Sequence, residues 1–239
     1  MIYFKVDSDF IDNNPFEVQT NDVEVDRDYY QNLFSFDNFY EPNNELIRLK
    51  LPFDRELDGH VRGLRDFYSW GLGRAWAYCL IISPQLKGIL EKQTFLLPPH
   101  RFYEAYVRDD EWQKHSYYVF HFIQNTLEDI EYNKSVFGVF KYGQNIPDEI
   151  LKPGEIISIE GYKLRDKQER KERKSGLKLI KAFFKPGIIY DMFALQGQIV
   201  VSERLKQTIE DQHIIGVKFT DLQSDDILKN IELVMNDAS

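Results

Sequence analysis

The sequence predicts an α+β fold: a large, mainly antiparallel or mixed sheet with a few short helices, built partly from two similar strand-Ser-helix-strand modules. Two observations carry this prediction. A thirteen-residue pattern occurs twice, as IISPQLKGILEKQ ending at Gln93 and as VVSERLKQTIEDQ ending at Gln212. The remaining apolar residues fall mostly in short runs of Ile, Leu, Val, Phe and Tyr bounded by Pro, Gly or charge, which is the patterning of strands.

In the two copies Ser83 and Ser202, Leu86 and Leu205, Lys87 and Lys206, Glu91 and Glu210, and Gln93 and Gln212 are identical pairs. Each Ser stands where an extended run meets a helical spacing of Leu and Ile. There its hydroxyl can accept from an orphaned N–H, so Ser83 and Ser202 are predicted helix caps. Pro84 at the first helical position loses no hydrogen bond. Strands are expected at IYFKV near the start, ELIRLKL, AYCLII, RFYEAYV, SYYVFHFI, VFGVF, EIISI, KLIKAFF, IIYDMFAL and GVKFT. Helices are expected over 84–92 and 203–212, with a third in the tail over 225–234. The 239 residues suit one domain or two closely packed subdomains, and the Pro and Gly residues of 144–154 mark where a seam would fall.

A chain with 43% hydrophobic and 15% aromatic residues is globular rather than disordered. No apolar run is long enough for a bilayer span, and MIYFKVDSDF carries charge where a signal peptide needs apolar residues. A cytoplasmic address is therefore expected. Cys79 is the single cysteine, which excludes an intrachain disulfide and suits a reducing compartment.

The net charge of −9 is concentrated at one end. Residues 1–60 hold fourteen carboxylates against five bases, and the remainder is balanced. Asp22, Glu24, Asp26 and Asp28 alternate within this acidic segment and run into Tyr29 and Tyr30. A solvated surface is the common state of such a run. A face that steers a basic partner is its functional alternative, with nearby aromatics as anchors. Residues 163–185 have the opposite bias, ten Lys or Arg against three carboxylates. Without interleaved aromatics on an otherwise acidic chain, this run reads as an exposed hairpin or helix end rather than a nucleic-acid arm.

Residues that carry chemistry are scattered. GLGRAW at Gly71 has Trp76 where a dinucleotide fingerprint needs a third glycine. None of His60, His100, His115, His121 and His213 has zincin spacing, so no metal or cofactor is predicted. Cys79 lies in an apolar strand where a thiol is inert. Asp109, Asp110 and Glu111 suit a turn. Ser202 lacks the glycines of a nucleophile elbow. His115, His121 and Glu131 remain the best candidates for a scattered active site, that of a small hydrolase or transferase.

Two stretches, YYVFHFIQNTLEDIEYNKSVF (117–137) and IIYDMFALQGQIVVSERLKQTIEDQHIIGVKF (188–219), resemble a bacterial family of immunity proteins from polymorphic-toxin systems, immunity-protein family eleven and its relatives. Ser202, Leu205, Lys206 and Gly216 carry the second match. Glu131 departs from the Asp expected there, and the acidic segment lies outside the resemblance. The family implies a protein that protects its producer by binding a cognate toxin, with no fixed partner, since the toxins vary; the acidic surplus fits a basic target such as a nuclease, whose active site the protein would occlude. It implies no catalytic residue. Binding of RNA through 163–185 ranks below both this reading and the enzyme.

Overall fold

A computed structural model describes residues 1–8, 50–51, 65–69, 79–108, 113–224 and 231–235. They form an α+β structure with three antiparallel or mixed sheets and three helices. The strands are β1 (Tyr3–Ser8), β2 (Lys50–Leu51), β3 (Phe67–Ser69), β4 (Cys79–Ile82), β5 (His100–Arg108), β6 (Lys114–Phe122), β7 (Val136–Lys141), β8 (Glu149–Leu151), β9 (Ser175–Phe183), β10 (Met192–Leu195), β11 (Gln198–Ser202), β12 (Val217–Asp221) and β13 (Glu232–Val234). The helices are α1 (Pro84–Leu90), α2 (Ile159–Arg173) and α3 (Glu203–Asp211). The first sheet runs β2-β5-β6-β4-β3, the second β10-β11-β1-β12 and the third β13-β9-β7-β8.

The second sheet lies between two cores. Side chains alternate across a strand, and here both faces are apolar. Phe193, Leu195 and Val200 pack with Phe137, Val139, Leu177 and Leu179 of the third sheet. Met192, Ala194, Ile199 and Val201 pack with Leu80, Ile82, Phe120 and Phe122 of the first sheet and with Leu86, Ile89, Leu205 and Ile209 of α1 and α3. This two-sided burial explains why β10 and β11 read as unbroken apolar runs.

The first two sheets repeat one topology. In the first, β3 pairs with β4, β4 with β6 and β6 with β5, all antiparallel. In the second, β10 pairs with β11, β11 with β1 and β1 with β12, again antiparallel. The N-terminal β1 thus fills the place that β6 fills in the first unit. Registers agree as well: Ile82 faces Phe67 and Tyr118, and its repeat mate Val201 faces Met192 and Phe4.

Two sequence expectations are corrected, the strand at 155–158 and the tail helix. Residues 155–158 form no strand; the first part of the basic run is the end of the longest of the three helices, α2, as one of the two readings of that run had it, joined by Lys174 in a left-handed conformation to β9. Asp166 and Tyr162 of α2 take both main-chain groups of Leu177, at 2.8 and 3.1 Å. These bonds shield β9 on the stretch before β13 pairs with it at Lys181–Phe183. The end of the expected tail helix is the strand β13, lying parallel to β9. Residues 144–154 connect β7 to its antiparallel partner β8 and include it.

Candidate functional site

The residues shared by the two copies converge on the packed pair α1 and α3. Ser83 accepts from Leu86 N and Ser202 from Leu205 N, each at 3.2 Å. Both therefore cap their helices. Lys87 lies over the rings of Phe102 and Tyr118, at 5.1 and 4.8 Å from their centroids, and pairs with Glu91 at 2.5 Å. Lys206 lies over Phe219 and Phe4, at 5.7 and 5.0 Å, and pairs with Glu210 at 3.0 Å. The strand register makes Phe102 equivalent to Phe219 and Tyr118 to Phe4. The repeated lysines are thus cation–π clamps of helix onto sheet, each worth about 0.5 to 2 kcal/mol.

A second repeated pair was not evident in the sequence. Asp66 and Asp191 stand immediately before β3 and β10, and their carbonyls accept from Ser83 N at 2.9 Å and Ser202 N at 2.7 Å. Each then reaches across to the other unit. Asp66 N donates to Ile215 O at 3.0 Å while its carboxylate accepts from Ile215 N at 2.9 Å. Asp191 N donates to Leu96 O at 2.7 Å while its carboxylate accepts from Leu96 N at 2.8 Å. The exchange is reciprocal, as expected of two units related by an approximate two-fold axis. Its two halves are separated in sequence by different gaps, seventeen residues from Asp66 to Ser83 and eleven from Asp191 to Ser202, which hides them from a search at constant spacing.

The second half is elaborated. Asp191, 1% exposed, also accepts from the Ser202 hydroxyl at 2.6 Å and from Arg204, whose guanidinium lies over Phe95. The hydrogen bond to Asp191 pushes the Arg204 guanidinium further up. Ser202 therefore donates to Asp191 and accepts from Leu205, and its geometry is that of a cap. Gln85, at the position of Arg204 in the first copy, donates instead to Gln212 O at the end of α3, at 2.9 Å. Gly216 has φ +87, and a Cβ there would lie 3.0 Å from Phe67 O, so this contact between the units requires glycine.

The enzyme candidates are dispersed. His115 and His121 lie six residues apart on β6, about 20 Å at strand rise. They cannot meet on one substrate atom. Burial, with Arg101 adding repulsion, holds the His121 imidazole down at about 4, so it is neutral at pH 7. Glu131 pairs with Lys134 at 2.6 Å, and its N–H donates to Phe183 O at 2.7 Å. Burial pushes the Cys79 thiol up, away from the reactive thiolate. Asp129 is also pushed up by burial while accepting from Tyr190 at 2.9 Å and from Gln124. It joins the loop after β6 to the segment before β10.

Asp22, Glu24, Asp26, Asp28, Tyr29 and Tyr30 lie outside the described residues. Among the described residues no group of three or more His, Cys, Asp or Glu is placed to hold a metal ion. No helix among them is long and apolar enough to cross a membrane. No family model matches the chain, and no curated protein matches it significantly.

Proposed function

We propose that the chain is a cytoplasmic immunity protein that binds a basic cognate toxin and occludes its active site. The observation that carries this reading is the placement of charge: the whole net charge of −9 arises in residues 1–60, where fourteen carboxylates stand among aromatics. A negative face of this kind both imitates a phosphate backbone and speeds encounter with a cationic partner. The resemblance supplies the partner class. Its matched residues have mechanical work in the structure: Ser202 caps α3, Leu205 fills the core, Lys206 clamps the helix and Gly216 permits the crossing contact. The competing hydrolase or transferase loses support because His115 and His121 are held far apart along one strand.

The test is association kinetics with the product of the adjacent gene, for the wild type and a variant with Asp22, Glu24, Asp26 and Asp28 changed to Lys. Association should slow and its salt dependence should flatten, with dissociation changing less. Equal association rates at low salt would remove the acidic segment from the interface.

A further inference from the structure

We propose that the solvent-facing side of α2 is a docking surface for an acidic protein segment bearing one apolar anchor. This goes beyond the toxin reading, because it requires a partner opposite in charge to the one that the N-terminal carboxylates would meet.

The sorting of charge on α2 motivates it. The helix arginines are engaged at close range: Arg165 pairs with Glu169 at 2.8 Å, Arg170 with Asp166 at 2.6 Å and Arg173 with Glu149 at 3.6 Å. Two of the acids they use are turned inward, Glu169 to 3% exposure and Asp166, which also holds Leu177 N, while Glu149 stays half-exposed. Lys163, Lys167 and Lys171 are exposed and form no ion pair among the described residues. At four-residue spacing they share one face and follow one another at about 6 Å along the axis.

Leu164 belongs to the same face, three residues before Lys167 and seven before Lys171, and is 71% exposed. Ile157, just ahead of the Ser158 cap, is 74% exposed. Large apolar side chains set among cations on an outer helix face contribute nothing to a core. They offer area to a partner.

The same features select protein over nucleic acid. The exposed cations are lysine point charges, whereas the arginine forks suited to phosphate are occupied. The helix's one aromatic, Tyr162, is turned in to Leu177 O and gives no stacking platform for bases. An apolar side chain beside a row of three lysines, with exposed Glu160 at the N-terminal end of that row, matches an acidic segment with a protruding Leu, Ile or Phe.

The full chain is titrated at low salt into a fluorescent synthetic peptide of Glu and Asp with one central Leu, into the same peptide with Ser for Leu, and into poly(U) of equal charge. The Leu peptide should bind tightest, with anisotropy that falls as salt rises. Changing Lys163, Lys167 and Lys171 together to Glu should weaken it at least about tenfold, and Leu164→Ser about tenfold, as expected for losing one buried leucine. Lys92→Glu, exposed beyond α1, should leave it unchanged. These positions are on the surface, and a thermal melt confirms that each variant folds. Poly(U) binding tighter than the peptide and indifferent to Leu164→Ser would assign the face to nucleic acid and overturn the proposal. So would absence of peptide binding, or self-association of the wild type that the triple variant abolishes, which would make a second copy the occupant.

Discussion

Asp191→Ala should destabilise the protein by roughly 3 to 4 kcal/mol, whereas Asp66→Ala, at the equivalent position, should cost about 1 kcal/mol. The difference follows from what each carboxylate holds. The Asp66 carboxylate accepts a main-chain bond from Ile215 N at a half-exposed site where water can replace it. Asp191 accepts from Leu96 N, the Ser202 hydroxyl and Arg204, and the Ser202 side is fully buried. Removing it strands that hydroxyl without an acceptor, about 1 to 3 kcal/mol, and adds the loss of the charge-assisted bond to Leu96. Arg204 is half-exposed and regains water, so its share is small. Arg204→Ala should therefore cost less than Asp191→Ala, and the double variant little more than Asp191→Ala alone. Urea unfolding gives the comparison, with midpoints shifting at constant slope. Equal losses for Asp66→Ala and Asp191→Ala would refute the asymmetry and show that the reciprocal main-chain bonds carry the whole contact.

Three further outcomes are expected. Ser83→Ala should cost about 1 kcal/mol as a lost N-cap, and Ser202→Ala more, because that hydroxyl also serves Asp191; equal losses in urea would sever the cap from the Asp191 network. Gly216→Ala should cost at least about 1 to 3 kcal/mol through its left-handed backbone and the clash with Phe67 O, and unchanged stability would refute that strain. The His121 imidazole is held at about 4 against 6.5 unfolded, so stability is complete above about pH 6.5 and is lost as pH falls toward 4, by about 3 kcal/mol; His121→Gln should flatten this slope in urea melts at pH 7, 5.5 and 4.5, and an unaltered slope would exclude His121 as its source.

The modules, their caps and the α+β class were legible because they are local: a Ser between an apolar run and a Leu/Ile spacing is visible within a dozen residues. The extent of α2, from Ile159 to Arg173, was not legible because the helix buries so little. Its support comes from charge pairs such as Arg165 with Glu169 one turn on, and in a census of bases these look like a featureless basic run. A pairing pattern of opposite charges four residues apart was the available signal. The role of β1 was hidden for a different reason, since no local pattern announces that residues 3–8 will enter a sheet between strands near 200 and 220. Short apolar runs are ambiguous in period, and the tail was read as helix although Glu232–Val234 joins β9 as a strand.

The near-symmetry also indicates where partner recognition should be sought. Residues repeated in both units are held by each other: the caps, the lysine clamps and the crossing aspartates form one mechanical frame around α1 and α3. Changing one of them disturbs folding before it alters any surface. The parts without a mate in the other unit are under no such constraint. Among the described residues these include β2, the third sheet and α2, where exposed Leu164 and three lysines face solvent at little structural cost. In sequence alone, the acidic segment that carries Asp22 to Asp28 is another such part. A binding protein that must match one partner among many needs a frame that tolerates change at its edges. The duplication supplies such a frame, and among the described residues α2 is the charged part that can change without disturbing it.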